Sequence, residues 1–239
     1  MSATIRTTVR GLRDWIAPVL KTIGTDEYLP VLCHARLEVG PRHALLITTD
    51  RFACSVSRVR WDDKHPAAKP VTVHIHRDNL SRVLQTFRAR GRANPDVRVE
   101  VTAKEVRFIG HDHTLVAPTL EHASASAPVP QVGPVNYPDV KRLVRDAATW
   151  DDDAPAFGGV MSVDFHRLAD LRAAAPKREA VLIRQAPGGP GKPYVLRMGE
   201  DYIALLMPRR AMDPDNAPSI TDGWDDALAA DTTTTKETA

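Results

Sequence analysis

Four histidines fall into two spaced pairs, His74 with His76 and His111 with His113. In a strand each pair shares one face and could hold a metal ion. No cysteine, aspartate or glutamate stands at a recognised ligand spacing, so they read as surface histidines and no metal or cofactor is expected. Gly188-Gly189-Pro190-Gly191-Lys192 has the glycines and lysine of a phosphate loop. It lacks the following Ser or Thr, and a strand pattern rather than a helix comes next, so it reads as a hairpin loop. Asp151-Asp152-Asp153 reads as a solvated loop. No nucleophile elbow, zinc-protease motif or dinucleotide fingerprint occurs, so no catalytic residue is assigned and a non-enzyme is expected.

The chemistry that remains is charge. The 239 residues carry 32 basic and 30 acidic side chains. From Asp213 onward there are seven acids and one base, Lys236, which leaves 31 bases against 23 acids in residues 1–212, a net of +8. The part that folds is therefore basic, and a polyanion is its natural partner class.

These charges need elements to place them. Residues 3–9 alternate as a strand. Leu12, Ile16, Val19, Leu20 and Ile23 mark one apolar face of a helix over 11–23, interrupted by Pro18. Strands at 31–39, 43–49 and 52–60 follow. The order then repeats: a strand over Val71–His76, then a helix capped by Asp78 and running to about Arg90, with Leu80, Val83, Leu84 and Phe87 as its buried stripe. Strands at 97–102, 105–110 and 113–120 complete the second round. The pattern predicts an α+β fold built from duplicated βαβββ units.

A linker rich in Ala, Ser and Pro and a polar loop occupy 123–157. A third, single copy spans 158–211, with a strand at 158–163, a helix at 164–175 and strands near 180–186, 193–198 and 201–207. The acidic, Thr-rich stretch 212–239 is expected to be disordered. The reading is thus one complete domain over 1–122 and a truncated, half-size domain over 158–211. No apolar run reaches membrane-spanning length, and the first fifteen residues lack a signal-peptide core. Cys33 and Cys54 sit in apolar strand-like runs, as reduced thiols do in a cytoplasmic protein.

Three strings resemble one family. Leu29-Pro30-Val31-Leu32 with Arg36-Leu37-Glu38 and Leu45-Leu46-Ile47-Thr48-Thr49-Asp50 resembles a stretch of the DNA polymerase III beta subunit, the bacterial sliding clamp. Tyr137-Pro138-Asp139-Val140-Lys141-Arg142-Leu143 is similar to the connector between its middle and last domains. Tyr202-Ile203-Ala204-Leu205-Leu206-Met207-Pro208-Arg209-Arg210 is similar to its final strand. The resemblance covers about residues 3–210 and implies the DNA-clamp fold, with residues 1–122 most like the middle domain. Residues 158–210 resemble only the second half of the last domain.

Residue by residue, the resemblance implies two sites. Helices that line a ring around duplex DNA need basic groups without base readout. Arg77, Arg82, Arg88 and Arg92 offer them on the second helix, Arg10, Arg13 and Lys21 on the first, and Arg167 and Arg172 on the third. A hydrophobic groove for partner peptides would be walled by Leu32, Thr49, Pro138, Arg142, Leu143, Leu205, Leu206, Met207 and Pro208. Arg51, Phe52 and Ala53 stand where the family has a Gly, a His or Ser, and an Arg. The implied function is a clamp-like processivity factor, of a phage or mobile element. Its partners would be duplex DNA, a DNA polymerase or other clamp-binding-motif proteins, and further copies of itself. The alternative is a clamp-derived, peptide-binding adaptor or decoy that does not encircle DNA.

Overall fold

Strand β1 (Ser2–Thr8) leads straight into helix α1 (Val9–Val19), a 3-10 turn (Pro30–Cys33) and strands β2 (His34–Val39), β3 (His43–Thr49) and β4 (Ala53–Arg60). Strand β5 (Val71–His76), helix α2 (Arg77–Thr86) and strands β6 (Asp96–Thr102), β7 (Glu105–Ile109) and β8 (Thr114–Pro118) repeat that order. The two halves exchange their first strands. β1 pairs antiparallel with β6, Ser2 opposite Thr102, and β5 pairs with β2, His34 opposite His76. This computed structural model describes residues 2–61, 70–89, 93–122, 137–148, 163–174, 181–186 and 192–208.

The remaining elements are helix α3 (Val140–Ala148), helix α4 (Phe165–Ala174) and strands β9 (Val181–Gln185), β10 (Tyr194–Met198) and β11 (Tyr202–Leu206). β11 lies antiparallel along β4, from Tyr202 opposite Ser57 to Leu206 opposite Ala53. One sheet therefore has four strands, β1-β6-β7-β8, and the other seven, β5-β2-β3-β4-β11-β10-β9. Arg58 and Arg60 of β4 pair with Asp201 at 3.0 and 3.1 Å, binding the last hairpin to the first half.

Strand alternation sorts the large sheet into two faces. Ala44, Leu46, Ala53, Leu196, Ala204 and Leu206 share the main core with Leu12, Ile16 and Val19 of α1 and Leu171 of α4. Ile47, Cys54 and Leu205 point the other way and pack with Tyr137, Val140 and Ala147. So α1 and α4 cover one face and α3 the other. On the helix side α1 packs against both α2 and α4. Thr8 caps α1, its hydroxyl accepting from the Gly11 amide at 3.2 Å. Thr22, Thr48 and Ser55 form a buried hydroxyl cluster anchored on the Val19 carbonyl.

Local details depart from the sequence reading. Pro30 opens a 3-10 turn, so β2 starts at His34. The cap of α2 is His76, whose Nδ1 accepts from the Asp78 amide at 3.2 Å; Asp78 sits in the first turn. The helix stops at Thr86 because Phe87 turns into the core, its ring against Gly110, where a Cβ would meet Cε1 at 2.9 Å. Arg88 therefore follows the helix. Residues 140–148, read as linker and polar loop, form α3, with Val140, Val144 and Ala147 as its apolar stripe. The strand expected at 158–163 lies largely outside the described residues, and residues 123–136 and 149–157, the Gly188–Gly191 loop, the whole acidic tail and Arg92 lie outside them altogether.

Candidate groove and basic face

The connector meets the last strand on the face of the large sheet opposite α1. The Tyr137 hydroxyl donates to the Ile47 carbonyl of β3 at 3.1 Å, and burial pushes its ionisation up, so it stays a neutral donor. Val140 and Ala147 pack beside Tyr137 with Cys54 of β4 and Leu205 of β11. Burial pushes the Cys54 thiol up to about 12, leaving it an apolar wall rather than a nucleophile. Lys141 fastens α3 to Glu38 of β2 at 2.8 Å, and Arg142 faces Asp146 one turn on. His74 holds both sides of the linker: its Nδ1 bonds Glu121 at 2.6 Å and its ring lies 5.3 Å from that of Tyr137. Burial disfavours the Glu121 carboxylate, but the hydrogen bonds and charge of His74, with a backbone amide, together hold its pKa below the usual value.

Two apolar side chains on these segments are exposed, Leu143 of α3 at 50% and Met207 just after β11 at 43%. Pro138 and Pro208 are half-buried, and Arg142 is exposed. Thr49 is buried, its hydroxyl donating to the Ala53 carbonyl at 2.9 Å. Leu206 lies on the helix face and belongs to the main core, so it cannot share a wall with Leu205. Leu32 is buried against Gly24; its neighbour Val31 packs against the Tyr137 cluster instead.

Next to Met207 runs the β3–β4 turn. The Asp50 carboxylate accepts from the amides of Phe52 and Ala53 at 2.9 and 2.8 Å, and the Met207 amide donates to the Phe52 carbonyl at 2.9 Å. Arg51 takes φ 82°, a left-handed conformation suited to glycine. Arg167 of α4 pairs with Asp50 and lies over the Phe52 ring. In the sequence Asp50 only closes the Leu45–Asp50 string; that it fastens the turn to α4 depends on Arg167, 117 residues away.

On the helix side the basic residues divide. Arg10 on α1, Arg82 on α2, Arg88 just beyond it and Arg172 on α4 are exposed. Arg13 donates to the Leu84 carbonyl at 2.7 Å, binding α1 to the last turn of α2. Lys21 pairs with Asp170 at 3.0 Å, joining the end of α1 to α4. Arg77 is half-buried and faces Asp78 at 3.6 Å. Among the described residues no three His, Cys, Asp or Glu side chains gather as a metal site.

No family model and no curated protein matches the sequence. Solved structures do match. A DNA polymerase sliding clamp from Bacillus subtilis superposes with a TM-score of 0.65 at 15% identity, covering 88% of this chain and 65% of that one. The DNA polymerase beta subunit of Streptococcus pyogenes gives 0.65 at 16%, with 87% and 66% covered. A sliding clamp from Bartonella birtlesii bound to griselimycin gives 0.60 at 13%, with 87% and 66% covered.

The chain has the sliding-clamp fold. It spans just under two thirds of the length of those clamps. The clamp fold accounts for the exchanged halves and for the sheet that runs on from β4 into β11. No helix among the described residues is long and apolar enough to cross a membrane.

Proposed function

We propose that this chain is a clamp-like processivity factor that holds duplex DNA without reading its sequence and holds partner proteins in the groove beside α3. The observation that supports this best is the set of exposed arginines on and beside three packed helices: Arg10, Arg82, Arg88 and Arg172. Exposed guanidinium groups on a helix layer neutralise phosphates while leaving base edges untouched. The groove reading rests on Leu143 and Met207, exposed apolar side chains on the two segments that meet at the buried Tyr137–Leu205 cluster, the residue types that take an aliphatic or aromatic anchor. Neither role needs a catalytic group; the chain acts by retention.

Retention on nicked circular DNA, compared with the same DNA after linearisation, tests the reading. The expected result is a complex that survives on the circle and is lost from the cut form. Arg82→Glu with Arg88→Glu should weaken retention, lowering the slope of log affinity against log salt by about 1 per contact removed. A monomer that ignores DNA yet binds a clamp-binding peptide would replace this reading with the adaptor.

A further inference from the structure

Beyond Met212 the sequence holds three large apolar side chains, Ile220, Trp224 and Leu228, set among Asp222, Asp225 and Asp226. They recur at every fourth position, so a helix of two turns would carry them along one face. A stretch that serves only to be solvated has no use for such a stripe. Two exposed apolar groups of the folded part offer it a surface. The β4–β11 ladder continues one residue past Leu206, where the Met207 amide donates to the Phe52 carbonyl, so alternation puts Met207 on the side of Leu205. Leu143 follows Val140 by three residues and edges the stripe by which α3 packs on the same Leu205 cluster. Exposed bases adjoin both: Arg142 precedes Leu143, and Arg51 precedes Phe52, whose own ring is 55% exposed. Helix α3 as a whole carries three bases against one acid.

Given the groove proposed above, we infer that the chain's own Ile220–Leu228 segment docks on the Leu143–Met207 surface and competes there with partner segments. Charge alone would send this acidic segment to the arginines of the helix side. Its apolar stripe favours the groove, where apolar groups and bases stand together. The tether also fits. Pro208 adjoins Met207, and Ile220 is the twelfth residue after Pro208. Twelve residues reach about 40 Å when extended, ample for a segment that must return to the strand it left. A short flexible tether holds its end at an effective concentration on the order of millimolar, so even weak docking in isolation is strong competition within one chain.

A fluorescein-labelled synthetic peptide of residues 217–231, titrated with the full chain, tests this by fluorescence anisotropy. The wild type should bind it weakly, because its own segment holds the surface. The full-length variant Trp224→Ala with Leu228→Ala should bind it about ten- to a hundredfold more tightly. Adding Leu143→Asp or Met207→Asp to that variant should remove binding, and the gap between wild type and variant should persist at low chain concentration. Equal affinity for wild type and variant overturns the inference, as does a gap that closes on dilution, which would mean segments exchanged between copies. Binding lost through Arg82→Glu with Arg88→Glu but not through Leu143→Asp also overturns it and makes the segment a competitor of DNA. If the labelled segment fails to bind the variant while a clamp-binding peptide still does, the inference falls and the groove stands; if neither binds, the groove falls with it.

Discussion

The Arg167 guanidinium lies over the Phe52 ring, 4.7 Å from its centroid, while pairing with the carboxylate of Asp50 in the same turn. A residue read from sequence as a DNA contact thus fastens α4 to the β3–β4 turn. Arg167→Ala is expected to lower stability by about 1 kcal/mol, the scale of a partly exposed ion pair with a cation–π contact. Its effect on DNA retention should be well below that of Arg82→Glu. Denaturant melts alongside salt-dependent DNA binding check both parts.

Arg51 at φ 82° occupies backbone space that costs an L-residue roughly 1–2 kcal/mol. Glycine removes that cost but gives back part of it through the freer unfolded chain. Arg51→Gly should therefore raise stability by about 0.5–1 kcal/mol, seen as a higher melting temperature. An unchanged or lower one would mean that the freer unfolded chain outweighs the relieved strain.

Leu206 and Met207 are adjacent yet belong to different surfaces, core and solvent. Leu206→Ala should destabilise by about 2–5 kcal/mol, as truncations in a packed core do. Met207→Asp and Leu143→Asp should leave the melting curve near wild type and abolish binding of a clamp-binding peptide. Titration calorimetry showing unchanged affinity would reject the groove.

His34 is buried, its Nδ1 donating to the Pro30 carbonyl at 2.7 Å and its ring edge-on to His76 at 4.9 Å. Burial, helped by His76 and His74, pushes its pKa below the ordinary value of about 6.5, against the pull of the Pro30 bond and Glu121. The unfolded chain then binds this proton more tightly than the folded one. Stability contributed here is present above about pH 6.5 and is lost as pH falls below it toward the folded value. The urea midpoint should drop between pH 7.5 and pH 5, and His34→Gln should make that drop shallower.

Much of the fold was legible because its signals are local. Val97, Val99 and Val101 alternate, and Leu12, Ile16 and Val19 make a stripe; both patterns survive any tertiary arrangement. Tyr137 and Val140 of the connector pack with Leu205 of the last strand. What stayed hidden depends on reach and direction. Arg13 stretches to a carbonyl 71 residues away, which no helix-face count reveals. The exchange of β1 and β5 is a matter of partner choice rather than propensity. Two misreadings had a signal available. Alternation alone requires Leu205 and Leu206 to face apart, and Val140, Val144 and Ala147 have helical spacing inside a stretch set aside for its polarity.

The exchanged strands also bear on how the chain is made. Ser2 finds its partner at Thr102, so during synthesis β1 waits for about a hundred further residues before it can pair. Until then the groups β1 will bury stay open to water and to other nascent chains. Synthesis of residues 2–118 is a single commitment, and a chain released between Trp61 and Pro70 would hold no finished sheet of either kind.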